Sequence, residues 1–307
     1  MTATARSDAR RPRAGPPAWA RARRYPRGMS TPAAPAPPTT ERRWREDLDL
    51  AHAIADQVDP VTRAHFERQD FEVQTKPDLT PVTDADRQAE RMIRESLSRA
   101  RGRDRILGEE FGEELGQTGG SPRQWVVDPI DGTKNFVRGV PVWATLIGLV
   151  EDGEVVVGLV SAPALGRRWW AVAGGGAWTG CSLSSARRLR VSGVAGLEDA
   201  SLSYASLSGW AQRKRLGAML SLMRDCWRTR AYGDFWSYML VAEGAVDLAA
   251  EPELELYDMA ALVPIVTQAG GRFTSLAGEA GPWGGDAVAT NGLLHDVVLE
   301  RLAAETD

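Results

Sequence analysis

The sequence predicts a layered α+β fold: an N-terminal antiparallel sheet with helices, followed by an α/β half. Three observations carry this. Apolar positions recur at three and four along residues 48–61, the spacing of a helix with one buried face. Four β-branched or aromatic runs lie between residues 124 and 174, joined by short turns, as antiparallel neighbours are. After about residue 186 strands and helices alternate, which marks a layered α/β unit.

The first helix is read from Trp44 through Leu48, Ala51, Ile54, Ala55, Val58 and Val61, with Pro60 expected to kink or divide it. A short extended piece and a Pro-rich loop follow. A second helix should begin near Asp84, because Thr83 and Asp86 fit the pattern of a capping hydroxyl with an acid three residues later. The runs QWVVD, ATLIGLVE, EVVVGLVSAP and RRWWAVAG predict a meander with helices on one face. Beyond residue 186, ASLSYAS, DCWRTRAY, AVDLAAE, GRFTSL and DAVATN predict strands, with helices near 210–224, 234–243, 258–269 and 292–304. Three segments result: 1–40, a disordered basic extension rich in Pro and Ala; 41–186, an α+β half; and 187–307, the α/β half completing the site.

Composition narrows the function. Hydrophobic residues are 43% and charged residues 25% of the chain, a globular balance. Eight arginines and a single acid fall in residues 1–28, leaving 29 basic and 40 acidic side chains in the rest. An acidic body disfavours nucleic acid as a partner and suits a protein that collects cations. Residues 1–40 read as a targeting segment, a nucleic-acid-binding arm, or sequence upstream of a true start at Met29; no apolar core follows the arginines as a secretory signal requires. No apolar run approaches the length of a membrane span. Cys181 and Cys226 have no CxxC partner, which fits a reducing cytoplasm. His52, His65 and His295 lack ligand spacing, and GGG at 174–176 lacks the Lys of a phosphate-binding loop.

Chemistry points to VVDPIDGT. Asp128 ends a strand and Asp131 follows across Pro129 and Ile130. Proline fixes its own φ and restricts its predecessor, so the two carboxylates have little freedom. Acids held close repel unless a proton or cation intervenes, and an all-oxygen set suits Mg²⁺. Gly132 and Thr133 then allow backbone to approach an anion. The plain alternative is an Asp-Pro turn closed by Asp-Gly.

Taken together, LGEEFG before this strand, DPIDGTKNF at its end and YDMAA opening a later helix resemble the inositol monophosphatase family of Mg²⁺-dependent phosphatases. The resemblance runs from about residue 45 to 305 and includes KPDLTPVTDAD and the AGG after the last acid. It implies an α-β-α-β-α sandwich, commonly dimeric, hydrolysing a small phosphate monoester with two or three Mg²⁺ ions. Carried over by position, Glu109, Asp128 and the Ile130 carbonyl would hold one ion, and Asp128, Asp131 and Asp258 a second. Glu110 is the adjacent alternative to Glu109, which would also reach a third ion through water. Tyr257 stands where family members usually have Trp. Thr133 would activate the attacking water, with Asp84 holding its hydroxyl, while Asp131, Gly132 and Thr133 meet the phosphate. Lys76 resembles a loop residue close to the metals.

Within the family, RQWVVDPIDGTKNFVRGVPVWA, RRWW, SLSGWA and RAYGDF most resemble bacterial members acting on histidinol phosphate in histidine biosynthesis. On that resemblance Arg230, Asp234 and Glu251 would contact the substrate, whose amine and imidazole suit acids. The alternatives are inositol monophosphate, fructose 1,6-bisphosphate or an adenosine bisphosphate as substrate, or an inactive metal-binding scaffold.

Overall fold

Two large sheets, a short two-stranded pair and the helices that cover them make up the described residues; the computed structural model describes residues 39–76, 81–117 and 120–303. The expectation for residues 1–40 lies outside the described residues up to residue 38, while Thr39 and Thr40 already belong to helix α1 (Thr39–Arg68). Its stripe of Leu48, Ala51, Ile54, Ala55 and Val58 is buried as the spacing predicts. The helix does not divide at Pro60. Arg168 reaches across to Asp56 at 2.6 Å and Asp59 at 2.5 Å, and Ser161 bonds Asp59 at 2.8 Å. These charged contacts pin the turn preceding the proline, so tertiary packing overrides its local preference.

Strands β1 (Val73–Thr75) and β2 (Pro81–Thr83) pair antiparallel and lead into helix α2 (Asp84–Arg101), which begins at the expected residue. Thr83 and Asp86 form the predicted reciprocal cap, with Thr83 N donating to Asp86 Oδ2 at 2.8 Å.

The first sheet has eight strands: β3 (Arg105–Gly108), β4 (Gly112–Glu114), β5 (Arg123–Asp131), β6 (Ala144–Glu151), β7 (Glu154–Ala162), β8 (Arg167–Val172), β9 (Gly176–Gly180) and β10 (Arg187–Arg188). Their order is β10-β9-β8-β7-β6-β5-β3-β4, antiparallel throughout except for the parallel β3–β5 pair. The meander β5 to β9 is as expected; β3 and β4, on either side of the Glu109–Glu110 turn, have no counterpart in the predicted strands. Helix α3 (Thr133–Val137) follows β5 directly.

Helices cover both faces of this sheet rather than one. Trp125, Val127, Ile147, Leu149, Leu159 and Trp170 pack against α1 and α2. Strand alternation turns Leu146, Val160 and Trp169 to the other face. There they meet helix α6 (Asp234–Ala242) and helix α8 (Leu262–Gln268), which follows the short helix α7 (Leu256–Met259).

The second sheet holds β11 (Ser201–Ser203), β12 (Arg228–Arg230), β13 (Leu248–Glu251), β14 (Arg272–Thr274) and β15 (Ala287–Thr290) in the order β12-β11-β13-β15-β14. Ala249, Phe273 and Ala289 share the α6–α8 core with the first sheet. Leu202, Leu248 and Val288 face the opposite way, onto helices α5 (Leu216–Asp225) and α9 (His295–Ala303); a short helix α4 (Leu207–Gln212) supplies the buried Trp210. Helices, sheet, helices, sheet, helices are therefore stacked in five layers. The helix expected over 210–224 is two helices, α4 and α5, and the one over 258–269 is α7 and α8.

Candidate active site

The site forms where β5 loses its regular register. Residues three apart on a strand face opposite ways, yet the pairing of β5 with β6 shifts between Asp128 and Asp131. Pro129 lacks an N–H, and its carbonyl accepts instead from Thr145 Oγ1 at 2.8 Å. The irregularity re-aims the second acid. Asp128, Asp131 and Asp258, from the first turn of α7, bring one carboxylate oxygen each within 4.8 Å of one another.

These acids carry an electrostatic cost. Burial pushes the carboxyl of Asp128 well above the usual range, reinforced by Glu109, Asp131 and Asp258. Burial does the same at Asp131, with Asp234 and Asp258 adding to it, although Phe235 N donates to Asp131 Oδ2 at 2.7 Å. Asp258 is pushed up to about 7, chiefly by burial. Three carboxylates converging on one point, one buried and two partly buried, make a donor set that fits a hard divalent cation such as Mg²⁺.

Glu109 stands beside Asp128, on the turn after β3, with Lys76 Nζ bonded to its carboxylate and to that of Glu110, each at 2.7 Å. Burial opposes the charge on Lys76, but hydrogen bonds to both glutamates outweigh it and raise its pKa. The turn is held from behind by Glu90, which accepts from Glu110 N at 2.7 Å and Phe111 N at 3.2 Å and pairs with Arg94. Gly108 makes room for it: a Cβ there would lie 2.0 Å from Glu90 Oε1. The Ile130 carbonyl accepts from Thr133 Oγ1 at 3.0 Å.

Thr133 opens α3 after Gly132, whose φ of 85° is left-handed. The carboxylate nearest the Thr133 hydroxyl is Asp86, at 3.5 Å, and not Asp84. Asp84 is exposed and accepts from Glu72 N at 3.1 Å. Asp86 is fully buried, and burial pushes its carboxyl up to about 7. Sequence reasoning assigned Asp86 to the helix cap and therefore looked past it. A carboxylate has two oxygens, and here one caps α2 while the other faces Thr133.

A cleft of about 280 Å³ opens over these residues, lined among others by Glu109, Asp131, Thr133, Asp234, Glu251 and Asp258. Asp234 has φ 50°, a conformation uncommon without glycine, and follows Gly233 at 79°. That turn aims Phe235 N at Asp131, and Asn135 Nδ2 fixes the Asp234 carboxylate at 2.8 Å while also bonding Val142 O. Burial pushes Asp234 up to about 6 and Glu251 well above the usual range. Arg230 is exposed on the edge strand β12, donates to Thr229 O at 2.7 Å and does not line the cleft. Tyr238, unremarked in the sequence, does line it.

The profile of the inositol monophosphatase family matches residues 43–306. The chain belongs to the inositol monophosphatase family. It is 62% identical over 263 residues to the histidinol-phosphatase of Streptomyces coelicolor, covering 84% of this chain and 97% of that one. It is 60% identical over 259 residues to the histidinol-phosphatase of Mycobacterium tuberculosis, covering 84% and 98%. Among solved structures of the fold, the IMPase of Thermotoga maritima matches with a TM-score of 0.73 at 32% identity, over 84% of this chain and 96% of that one. The five-layer architecture expected from the sequence is the one this family shares.

Proposed function

We propose that the chain hydrolyses histidinol phosphate to histidinol and inorganic phosphate, with Mg²⁺ as cofactor, in histidine biosynthesis. The observation that carries the substrate is the 62% and 60% identity to two histidinol-phosphatases over nearly their whole lengths. The placement of Asp234 and Glu251 in the cleft supports it, since acids suit a leaving group bearing an amine and an imidazole.

Glu109, Asp128, Asp131 and Asp258 would hold the cation, with the Ile130 carbonyl beside them. Bound there, Mg²⁺ supplies charge neutralisation to a phosphate dianion and a lowered pKa to water. The protein's own groups do the rest. Thr133 orients the attacking water through its hydroxyl, and Asp86 accepts the proton that the hydroxyl passes on. An unassisted threonine is a poor base, whereas a carboxyl near pH 7 is matched to the task. The backbone at Gly132 and Thr133 faces the phosphate oxygens, where a side chain at residue 132 would crowd Val142 O at 2.9 Å. Asp234 and Glu251 receive the leaving group. We place the enzyme in the cytoplasm as a homodimer; the two unpaired cysteines support the first, and the family's habit the second.

The test is phosphate release from histidinol phosphate, inositol 1-phosphate, fructose 1,6-bisphosphate and an adenosine bisphosphate, each with and without Mg²⁺. The expected result is Mg²⁺-dependent turnover with the highest kcat/KM for histidinol phosphate. A tenfold preference for inositol phosphate would overturn the assignment.

A further inference from the structure

One cationic side chain lines the cleft among the described residues, that of Lys134; every other charged side chain lining it is an acid. The cations that reach those acids from outside the cleft are already committed. Lys76 Nζ bonds Glu109 and Glu110, each at 2.7 Å, and Arg213 pairs with Glu253 at 2.6 Å. The Lys134 side chain is exposed, and its ammonium forms no hydrogen bond or ion pair among the described residues. Its charge nonetheless reaches Asp234, where it opposes the upward push of burial on that carboxyl. No ion pair closes between them, and the next residue, Asn135, holds the Asp234 oxygen with Nδ2 at 2.8 Å. A lysine on a flexible four-carbon stem is thus left with its three donors uncommitted in an acidic cleft.

Position and charge decide what it meets. Lys134 follows Thr133 in α3, so its stem leaves the same turn as the Gly132 and Thr133 backbone that the proposed mechanism sets against the phosphate. Histidinol phosphate is a phosphate dianion at one end and an amine at the other. An ammonium attracts the first and repels the second. A cation held by Asp128, Asp131 and Asp258 would offset those three acids, but Asp234 stands outside that set and opposes an incoming dianion. We propose that Lys134 is a phosphate-binding residue, its ammonium donating to a non-bridging oxygen of the substrate's phosphate and of the inorganic phosphate product. The ester is thereby oriented, with its phosphate at the three-aspartate cluster and its amine turned away from α3. This rests on the reading of the chain as a histidinol-phosphate phosphatase.

Lys134→Met keeps the stem and removes the charge. Calorimetry on the Mg²⁺-loaded enzyme measures the binding of inorganic phosphate and, separately, of histidinol, which has the amine and lacks the phosphate; steady-state kinetics follow histidinol phosphate. The expected result is a phosphate affinity and a KM each weakened about tenfold, the loss of one charge-assisted hydrogen bond. The kcat stays within about threefold, and histidinol affinity stays within about twofold or tightens. An unchanged phosphate affinity would overturn the inference, as would a histidinol affinity that falls as far as that for phosphate, which is the mark of a lysine acting through Asp234. Failure of the wild-type enzyme to turn over histidinol phosphate would overturn the functional assignment and this inference with it, and is visible before any variant is made.

Discussion

Replacing Asp86 by asparagine separates its two duties. The residue is fully buried, with Oδ2 accepting from Thr83 N at 2.8 Å and Oδ1 3.5 Å from the Thr133 hydroxyl. Asparagine keeps one oxygen, which can serve the cap, and turns an NH₂ toward Thr133. Loss of a cap outright costs about 1 kcal/mol, so a retained cap should shift the thermal midpoint by no more than a few degrees. Activity has no such refuge, because an amide cannot accept a proton. Removing a general base costs about 10²- to 10⁴-fold, or about 3 to 5 kcal/mol of barrier at 1.36 kcal/mol per tenfold. The effect belongs in kcat, since the carboxylate stands behind Thr133 and does not line the cleft. The assay is phosphate release under saturating Mg²⁺ and substrate, alongside circular dichroism and thermal melting. Asp84→Asn is the control: that side chain is exposed and bonds only Glu72 N among the described residues, so kcat should stay within about twofold. A folded Asp86→Asn enzyme with near-normal kcat, or an Asp84→Asn enzyme that loses more than tenfold, would refute the reasoning.

Gly108→Ala should push Glu90 off the Glu109–Glu110 turn, because the new Cβ would lie 2.0 Å from Glu90 Oε1; the expected cost is about 1–3 kcal/mol in urea melts, with weakened Mg²⁺ activation, and an unchanged Mg²⁺ dependence would count against Glu90 as the support of Glu109. Arg230→Ala should leave KM for histidinol phosphate within about twofold, as its guanidinium lies outside the cleft; a tenfold rise would restore it as a substrate contact. Melting in EDTA and in Mg²⁺ tests the charge of the site. Asp86 and Asp258 rise from 3.8 to about 7 on folding, so the folded chain binds protons more tightly and cation-free stability should fall as pH rises from about 4 to 7. Mg²⁺ should therefore raise the midpoint more at pH 8 than at pH 5, and equal shifts at both would contradict it.

The fold was legible wherever one periodicity dominated: the α1 stripe, the α2 cap and the β5–β9 meander each repeat a local rule over many residues. What escaped were features set by distant partners. Pro60 reads as a break, but Arg168 and Ser161, a hundred residues away, hold that turn together. Strand β3 hides because its acidic continuation looks like a loop, and only pairing with β5 and β4 defines it. At the site, residue types and spacing pointed to Asp128 and Asp131 and the family resemblance added Asp258; the convergence of the three depends on the register shift between Asp128 and Asp131. Asp84 and Asp86 differ by two positions on a helix, roughly opposite sides, and only the packing of α2 against the start of α3 decides which faces Thr133.

The acids of the cleft divide by what can neutralise them. Asp128, Asp131 and Asp258 converge to within 4.8 Å, a separation at which a cation can touch all three, and Phe235 N already occupies one oxygen of Asp131. Asp234 and Glu251 stand outside that cluster, and Asp234 is anchored by Asn135 in a left-handed turn. Holding aspartate in that conformation costs about 1–3 kcal/mol, which a structural turn would avoid by using glycine. The same strained residue sets the direction of Phe235 N toward Asp131, so the chain spends that energy on a link between the three-aspartate cluster and the Asp234 end of the cleft. A glycine at 234 would relieve the strain and preserve the amide, but would remove the carboxylate that Asn135 holds at 2.8 Å in the cleft.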